Sequence, residues 1–451
     1  MHADEPISKP AKGHQRQVTF ASHGHVLTNV NVWSPDGRWM VYDVRPDAAG
    51  GVFEGERIEL VNVQSGELRV LYECQHGARC GVATFSPAAM KVAFIHGPEH
   101  PSADWSYSAC HRQGMIVDLA RPDAALNLDA RNIIAPYTPG ALRGGTHVHV
   151  FSSDGQWVSF TYDDHVLTSL DAQGTARSES EADINQRNVG VSAPLASVKV
   201  PTRHPRNHDG SHFSVLVTRT HNSPRPGSDE IRRAFEEAWV GSDGYLRSDG
   251  TRQRRALAFQ GEVIAADGRA MSEVFIVDVP DDITQAGDEP LEGSETRRPA
   301  PPRGAVQRRL TFTADRRFPG IQGPRHWLRS SPDGERIAFL MKDDAGVVQL
   351  WTVSPRGGAM IQVTRGPWDV ASAFTWSPDG KRIACVMDHS VFVIDMATGE
   401  GVRLTQRDAS ESGPRPEACV FSPDGERIAI VRQVRIADSL FNQIFVVEET
   451  G

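Results

Sequence analysis

The sequence lacks most of the features that mark common protein classes. Its five cysteines are scattered and form no Cys-x-x-Cys pair, which argues against a disulfide framework and favours a reducing cytoplasm. No apolar run approaches about 18 residues, so no membrane span is expected. The first residues lack the apolar core of a signal peptide. The net charge of −9, without a long basic run, argues against nucleic acid as a partner.

Familiar catalytic signatures are also absent. The sequence contains no Gly-x-Ser-x-Gly, P-loop, Gly-x-Gly-x-x-Gly or His-Glu-x-x-His motif. These absences argue against serine hydrolases of the nucleophile-elbow type, P-loop enzymes, dinucleotide enzymes and zincin proteases.

A repeated turn signal is the strongest feature that is present. Ser-Pro-Asp-Gly stands at 34–37, 331–334, 377–380 and 422–425, each time before a short apolar run. Proline presets the backbone, Asp-Gly makes the tight turn, and the apolar run predicts a strand. Relaxed copies begin at Ser86 and Ser152, and Asn-His-Asp-Gly at 207–210 completes seven turn anchors, at 36, 88, 154, 209, 333, 379 and 424.

Each unit predicts one blade of a β-propeller. Strands of the Leu-Thr or Val-Thr type precede many copies, so that one unit holds about four short strands. The sequence therefore predicts an all-β, seven-bladed β-propeller, with two separate β domains as the alternative. The last unit lacks its Leu-Thr strand, and residues 16–20 are such a strand without a unit before them. We expect 16–20 to close the ring of a single propeller over 16–451, behind a disordered tail over 1–15.

The fourth unit is much longer than the others, because Asp209 and Asp333 lie 124 positions apart. Apolar residues of the segment 228–239 recur at i, i+3, i+4, i+7 and i+8, which predicts an amphipathic helix within an insertion over 219–256. Residues 281–306 are acidic and then Pro-rich, which predicts a linker between blades.

Histidine is concentrated in one third of the chain, where eleven of the 17 histidines lie between positions 76 and 221. In the repeat frame His147 aligns with His326, and His149 aligns with His204, at the start of the innermost strands. Imidazoles that converge from several blades suit a divalent metal such as Mn²⁺ or Zn²⁺. These four histidines are predicted metal ligands. The alternative is that they pack between blades with backbone hydrogen bonds.

Further candidates could contact a substrate. His96, His100 and His111 lie in a long loop of the second unit, and Arg143 and Arg325 flank the strand starts. A guanidinium group can bind a carboxylate or phosphate through two hydrogen bonds. Salt bridges to acidic loops are the alternative for both arginines.

The repeats resemble the TolB type, a relative of the WD40 pattern. TNVNVWSPDGRWMVYDVR, FIHGPEHP, APYTPGALRGGTHVHVFSSDG, PGSDEIRRAFEEAWVG and PPRGAVQRRLTFT together resemble the YidR-like bacterial propellers over nearly the whole chain. That resemblance implies a fold and no activity. A more distant similarity to oligogalacturonate lyase rests on the blade pattern and the His-x-His element. It implies a histidine-bound divalent metal.

Two functions of different classes follow. The first is a metal-assisted lyase for a short acidic oligosaccharide, in which a divalent ion and arginine neutralise the uronate carboxylate so that a base removes the adjacent proton. The alternative is a non-catalytic, TolB-like propeller that binds a protein or peptide partner. A metal-dependent hydrolase is a third, lesser candidate.

Overall fold

The computed structural model describes residues 13–47, 51–172, 182–324, 327–409 and 412–449. In these residues the chain forms seven four-stranded antiparallel sheets, two two-stranded sheets, one α-helix and one 3-10 turn. Each four-stranded sheet is one blade, so the predicted seven-bladed β-propeller is confirmed. No helix among the described residues is long and apolar enough to cross a membrane.

The first three blades occupy the N-terminal half of the chain. The closing strand is β1 (Gly13–Gln17). Blade one consists of β2 (Gly24–Val26), β3 (Trp39–Arg45), β4 (Arg57–Asn62) and β5 (Leu68–Glu73). Blade two consists of β6 (Cys80–Phe85), β7 (Lys91–His96), β8 (Gln113–Asp118) and β9 (Arg121–Asn127), with a 3-10 turn at Ala109–His111. A parallel pair, β10 (Ala130–Arg131) and β11 (Ala141–Leu142), leads to blade three. Blade three consists of β12 (Gly144–Phe151), β13 (Val158–Asp164), helix α1 (His165–Ala172), β14 (Asn188–Ala193) and β15 (Phe213–Leu216).

The remaining blades follow in the same way. Blade four consists of β16 (Ile231–Trp239), the hairpin β17 (Tyr245–Leu246) and β18 (Arg252–Gln253), then β19 (Ala256–Ile264), β20 (Ala270–Asp278) and β21 (Val306–Arg309). Blade five consists of β22 (Arg329–Ser330), β23 (Ile337–Lys342), β24 (Val348–Val353) and β25 (Ile361–Gln362). Blade six consists of β26 (Thr375–Trp376), β27 (Arg382–Met387), β28 (Ser390–Asp395) and β29 (Gly401–Arg403). Blade seven consists of β30 (Pro414–Phe421), β31 (Arg427–Ile436), β32 (Ser439–Glu449) and β1.

The Ser-Pro-Asp-Gly motif forms the turn between the first and second strands of a blade. In blade one, Ser34 Oγ donates to Asp36 Oδ1 at 2.5 Å and accepts from the Trp39 N–H at 3.0 Å. Gly37 has φ of 65°, a conformation that costs other residues free energy. The same Ser-to-Asp hydrogen bond recurs in blades three, five, six and seven. The repeated sequence therefore encodes the same turn in five of the seven blades.

The ring closes through the first strand, as predicted. Strand β1 pairs antiparallel with β32, from Gly13 opposite Glu449 to Gln17 opposite Phe445. Apolar side chains of blades one and seven form one buried cluster across this junction. The strand lies at 13–17 rather than 16–20, so residues 13–15 do not belong to a tail. Residues 1–12 of the expected tail lie outside the described residues.

The predicted helix in blade four is wrong, because residues 231–239 are the innermost strand of that blade. Two β-bulges interrupt its pairing with β19, one between Ile231 and Ala234 and one between Phe235 and Ala238. Each bulge adds one residue to β16, so the apolar contacts recur every three or four residues instead of every two. That spacing imitates a helix. Glu237, which a helix would have left in solvent, is buried.

Two further boundaries also differ from the prediction. The turn at Asp209 precedes β15, the outer strand of blade three, and does not begin blade four. Blade four begins at β16. Residues 281–306 connect β20 to β21 within blade four, so they do not link two blades. Their acidic and Pro-rich composition indicated a loop correctly but could not indicate which strands it joins.

Candidate functional site

Strand direction assigns the connections between strands to two faces of the ring. The Ser-Pro-Asp-Gly turns join the first strand of a blade to the second, so they share one face of the propeller. The starts of the first and third strands and the end of the second strand lie on the opposite face, called the loop face below. In blades two and three this face carries the 3-10 turn Ala109–His111 and helix α1.

A cluster around Trp105 joins blades two and three on the loop face. The Trp105 indole stacks on His111 with ring centroids 3.8 Å apart and meets His165 edge-on at 4.5 Å. His111 Nε2 lies 3.0 Å from His165 Nδ1. These two nitrogen atoms and Cys110 Sγ all lie within 4.8 Å of one another. The cluster therefore offers three potential metal-ligand atoms at one point.

Hydrogen bonds fix the protonation of both imidazoles. His111 Nδ1 lies 2.8 Å from the Ser106 carbonyl oxygen, so Nδ1 carries the proton of the neutral ring and Nε2 keeps its lone pair. His111 Nε2 therefore accepts the 3.0 Å hydrogen bond from the His165 Nδ1–H, and His165 Nε2 lies 3.3 Å from Ser169 Oγ. A metal at these two nitrogen atoms would replace the hydrogen bond between the rings, with the His165 proton moved to Nε2. Burial lowers the pKa of His165 to about 4, with His111 adding to the effect, and burial also lowers the pKa of His111. Both rings are neutral near pH 7, which is the form that binds a metal.

The donor set fits zinc. In a tetrahedral zinc site two nitrogen ligands lie about 3.3 Å apart, close to the 3.0 Å between the two imidazole nitrogen atoms here. A thiolate with two imidazoles favours zinc over manganese, which prefers carboxylate and carbonyl oxygen. Cys110, His111 and His165 would hold the ion.

Arg143 fixes the position of His165. The Leu167 N–H donates to Asp164 Oδ1 at 2.9 Å, which makes Asp164 the N-cap and starts the helix at His165. Arg143 Nη2 donates to Asp164 Oδ2 at 2.7 Å. Arg143 is fully buried, so its guanidinium group holds the helix cap and does not face a substrate.

A cavity of about 820 Å³ lies beside Trp105. His96 and His100, two of the predicted substrate contacts, line it, whereas His111 lies behind the indole of Trp105. The guanidinium groups of Arg131 and Arg206 lie 5.8 Å and 5.6 Å from the centre of the Trp105 ring. Further polar residues of the wall include Tyr72, Asn127, Lys199, Asn207 and His208, together with the carboxylates of Glu99 and Asp209. Asp209 is paired with Lys199 at 2.8 Å. This combination of one indole with several cations suits a polar, anionic ligand.

The structure separates the two histidines of the His-x-His element. A bulge follows His147, which pairs with Thr161, and Val150 pairs with Ser159. Val150 therefore takes the place that His149 would have on a regular strand. The His149 ring is fully buried, and burial lowers its pKa to about 3. His147 is half-buried on the loop face.

The other two predicted ligands give no convergent set. His204 lies at the cluster, with its ring 6.3 Å from Trp105, and its Nδ1 accepts a hydrogen bond from the Arg206 N–H at 3.1 Å. His326 and Arg325 lie outside the described residues. In the described part of the chain, His147, His149 and His204 form no compact donor group.

Sequence reasoning missed Cys110 and His165. Their positions, 55 residues apart, give no local motif. The adjacent Cys-His pair in the loop of blade two was the available signal. His165 becomes its partner only because blade three packs beside blade two, and a single sequence does not reveal that register.

The fold and this cluster together define a seven-bladed β-propeller with a candidate metal centre on its loop face. The chain belongs to the same protein family as YidR. A family model described as "Protein of unknown function (DUF3748)" matches residues 79–208, which include Trp105, Cys110, His111 and His165. The "Uncharacterized protein YidR" of Escherichia coli (strain K12) is 48% identical over 418 residues, which are 92% of this chain and 94% of that protein.

Solved structures with the same fold have distant sequences. Oligogalacturonate lyase in complex with manganese matches with a TM-score of 0.57 at 12% identity, over 99% of this chain and 96% of that chain. The oligogalacturonate lyase of Vibrio parahaemolyticus matches with a TM-score of 0.54, also at 12% identity, over 99% and 96% of the two chains. At these identities the similarity establishes the propeller fold alone.

Proposed function

We propose that this protein is a metal-dependent lyase that cleaves a short acidic oligosaccharide in the cavity beside Trp105. The observation that carries the proposal is the convergence of Cys110, His111 and His165 within 4.8 Å next to a large cavity walled by an indole and two guanidinium groups. A fold shared with oligogalacturonate lyase agrees with this assignment.

Trp105 and its neighbours account for recognition. The Trp105 indole stacks on His111 and is 5% exposed, so it forms part of the cavity wall rather than an open stacking surface. Arg131 and Arg206 lie within 6 Å of its centre. Arg131 is buried and its Nε donates to the Gly144 carbonyl oxygen at 3.2 Å. Arg206 donates to backbone oxygen atoms of the blade-two loop. Both guanidinium groups are fixed in place and provide positive charge for a uronate carboxylate.

The proposed reaction is a β-elimination. A base takes the proton from the carbon next to the carboxylate, and the electron pair of that C–H bond forms the double bond to the neighbouring ring carbon. The glycosidic oxygen leaves that second carbon with the bonding pair and takes up a proton. A divalent ion held by the cluster, which lies behind the Trp105 indole, would act through the positive charge that it adds beside the cavity and not as a ligand of the enolate. His204 accepts a hydrogen bond at Nδ1, so its neutral ring carries its proton at Nε2.

A turnover assay tests this proposal. Purified protein loaded with zinc is incubated with trigalacturonate, and formation of the unsaturated uronate is followed by ultraviolet absorbance and mass spectrometry. We expect turnover that a chelator abolishes and zinc restores. Trp105→Ala should lower kcat/KM by at least about tenfold, because the indole packs against His111 and both guanidinium groups, while His14→Ala, at an exposed position of β1, should behave as the parent.

A zinc-loaded protein that leaves a panel of uronate oligomers intact would contradict the lyase. The alternative is a propeller that binds a protein partner. Phe20 and Phe312 follow equivalent Val-Thr and Leu-Thr strands and are 67% and 65% exposed, but singly exposed apolar residues do not by themselves mark a partner surface.

A further inference from the structure

A group of three arginines and one neutral histidine lies on the loop face, nearer to the axis than the Trp105 cavity. Arg112 directly follows the 3-10 turn, and His147 lies near the start of β12. Arg45 ends β3, and Arg187 directly precedes β14. By strand direction all four positions lie at the same end of blades one to three. The start of β12 packs against the 3-10 turn, because a Cβ on Gly145 would lie 2.9 Å from the backbone nitrogen of Arg112. Burial lowers the pKa of His147, and the charges of Arg112, Arg187 and Arg45 add to that effect.

Two of these arginines have carboxylate partners. Arg45 Nη2 lies 2.6 Å from Asp43 Oδ2, and Arg187 Nε lies 3.2 Å from Asp163 Oδ2. Arg112 differs. Its Nε and Nη1 are buried without a hydrogen-bond partner, and no ion pair of Arg112 is found among the described residues.

The surroundings hold Arg112 in place without neutralising it. Its guanidinium group lies 5.3 Å from the centre of the Tyr107 ring, and Tyr107 stacks on Phe53 at 4.6 Å. Arg45 covers the other side of Phe53, also at 4.6 Å. Gly81 permits this packing, because a Cβ there would lie 2.7 Å from Asp43 Oδ2 and 2.8 Å from the Phe53 ring.

Backbone strain marks the same place. Val82 and Val148 have φ of 56° and 55°, a region that β-branched residues avoid. Both stand in bulges of the innermost strands of blades two and three. The bulge after His147 sets the direction of that side chain.

We propose that Arg112 and His147 form an oxyanion site on the loop face, which binds the carboxylate or phosphate group of a small molecule. A buried guanidinium N–H without a partner is costly, and a planar oxyanion that accepts two N–H bonds removes that cost. Arg187 and Arg45 contribute positive charge from their ion pairs. The site goes beyond the proposed lyase, because it needs neither a metal nor turnover.

Calorimetric titration of chelator-treated protein tests the site with galacturonate and with inorganic phosphate in separate arms. We expect at least one probe to bind, and the probe with the lower Kd identifies whether the site prefers a carboxylate or a phosphate. Arg112→Gln should weaken binding at least tenfold, and His147→Gln should weaken it to a smaller degree. Arg38→Gln, which removes an exposed arginine on the opposite face, should bind as the parent does.

Thermal unfolding shows whether a loss of binding in Arg112→Gln comes from the lost guanidinium group or from a folding defect. In anion-free buffer Arg112→Gln should melt at or above the temperature of the parent, because an uncompensated buried charge is gone. The parent should gain melting temperature on adding the anion, and the variant should not. A folded Arg112→Gln protein with parental affinity would overturn the site. So would a parent that binds neither probe at millimolar concentration. Neither result depends on lyase activity.

Discussion

Arg329 of blade five donates a hydrogen bond from Nη2 to Asn29 Oδ1 of blade one, at 2.5 Å. These two blades are not neighbours in the ring, so the side chain crosses the axial channel. Both residues line a channel cavity of about 310 Å³ on the side of the Ser-Pro-Asp-Gly turns. Burial lowers the pKa of Arg329 to about 10, and the nearby Glu237 opposes that effect. Arg329 therefore closes the channel with a buried charge.

Removing the acceptor, Asn29, should destabilise the fold more than removing the cation, Arg329. Asn29→Ala leaves a buried guanidinium group without its side-chain acceptor, which costs about 1–3 kcal/mol of unfolding free energy. Arg329→Met removes the charge and should cost less. Denaturant unfolding of both single variants and the double variant measures this order. A fully stable Asn29→Ala protein would show that the contact across the channel is unimportant.

Glu237 should make stability depend on pH. Burial raises the pKa of Glu237 to about 7, and its Oε2 accepts a hydrogen bond from Thr161 Oγ1 at 3.0 Å. The folded state therefore holds a proton that the unfolded chain releases near pH 4.5, so stability falls as pH rises from about 4.5 to 7. Across that window the loss is roughly 3 kcal/mol.

Glu237→Gln should remove this pH dependence and stabilise the protein at pH 8. Unfolding free energies of parent and variant at pH 5 and pH 8 provide the measurement. Equal pH profiles for the two proteins would mean that Glu237 is ionised in the fold throughout this range.

Gly114 and His149 should be energetically coupled. A Cβ at position 114 would lie 2.6 Å from His149 Nε2 and 2.8 Å from Asp129 Oδ1, so Gly114→Ala should cost about 1–3 kcal/mol. His149→Ala leaves a cavity at the same point and should cost about 2 kcal/mol. The double variant should be more stable than the sum of the single losses predicts. Additive losses of unfolding free energy in a double-mutant cycle would show that positions 114 and 149 do not interact.

The fold was predictable because its determinants are local. Each Ser-Pro-Asp-Gly turn carries its own hydrogen bonds, so counting turns gave seven blades although the anchor at Asp209 was misplaced. Blade four contains its own Gly-rich turn after β16, which kept the count correct. The helix prediction for 228–239 failed because two bulges changed the spacing of a strand, and bulges have no fixed sequence signature.

The candidate site was predictable only in part. The loop of blade two drew attention for its histidines, and His96, His100 and His111 do lie at or behind the cavity. Two residues apart on a regular strand, His147 and His149 would share one face, but the bulge at Val148 separates them. The sequence could not distinguish Arg143 from Arg112. Arg143 is buried in an ion pair with Asp164, whereas Arg112 has no ion pair among the described residues. That difference arises from contacts between blades.

Zinc content tests the central claim most directly. The protein is purified without chelator, incubated with excess zinc, desalted and measured by elemental mass spectrometry against protein concentration. About one zinc per chain is expected for a single site held by Cys110, His111 and His165. Cys110→Ser and His165→Asn should reduce zinc content at least tenfold with the β fold retained, while His14→Ala keeps it. A folded parent protein without zinc, or variants that retain it, would contradict the metal centre and the lyase that depends on it.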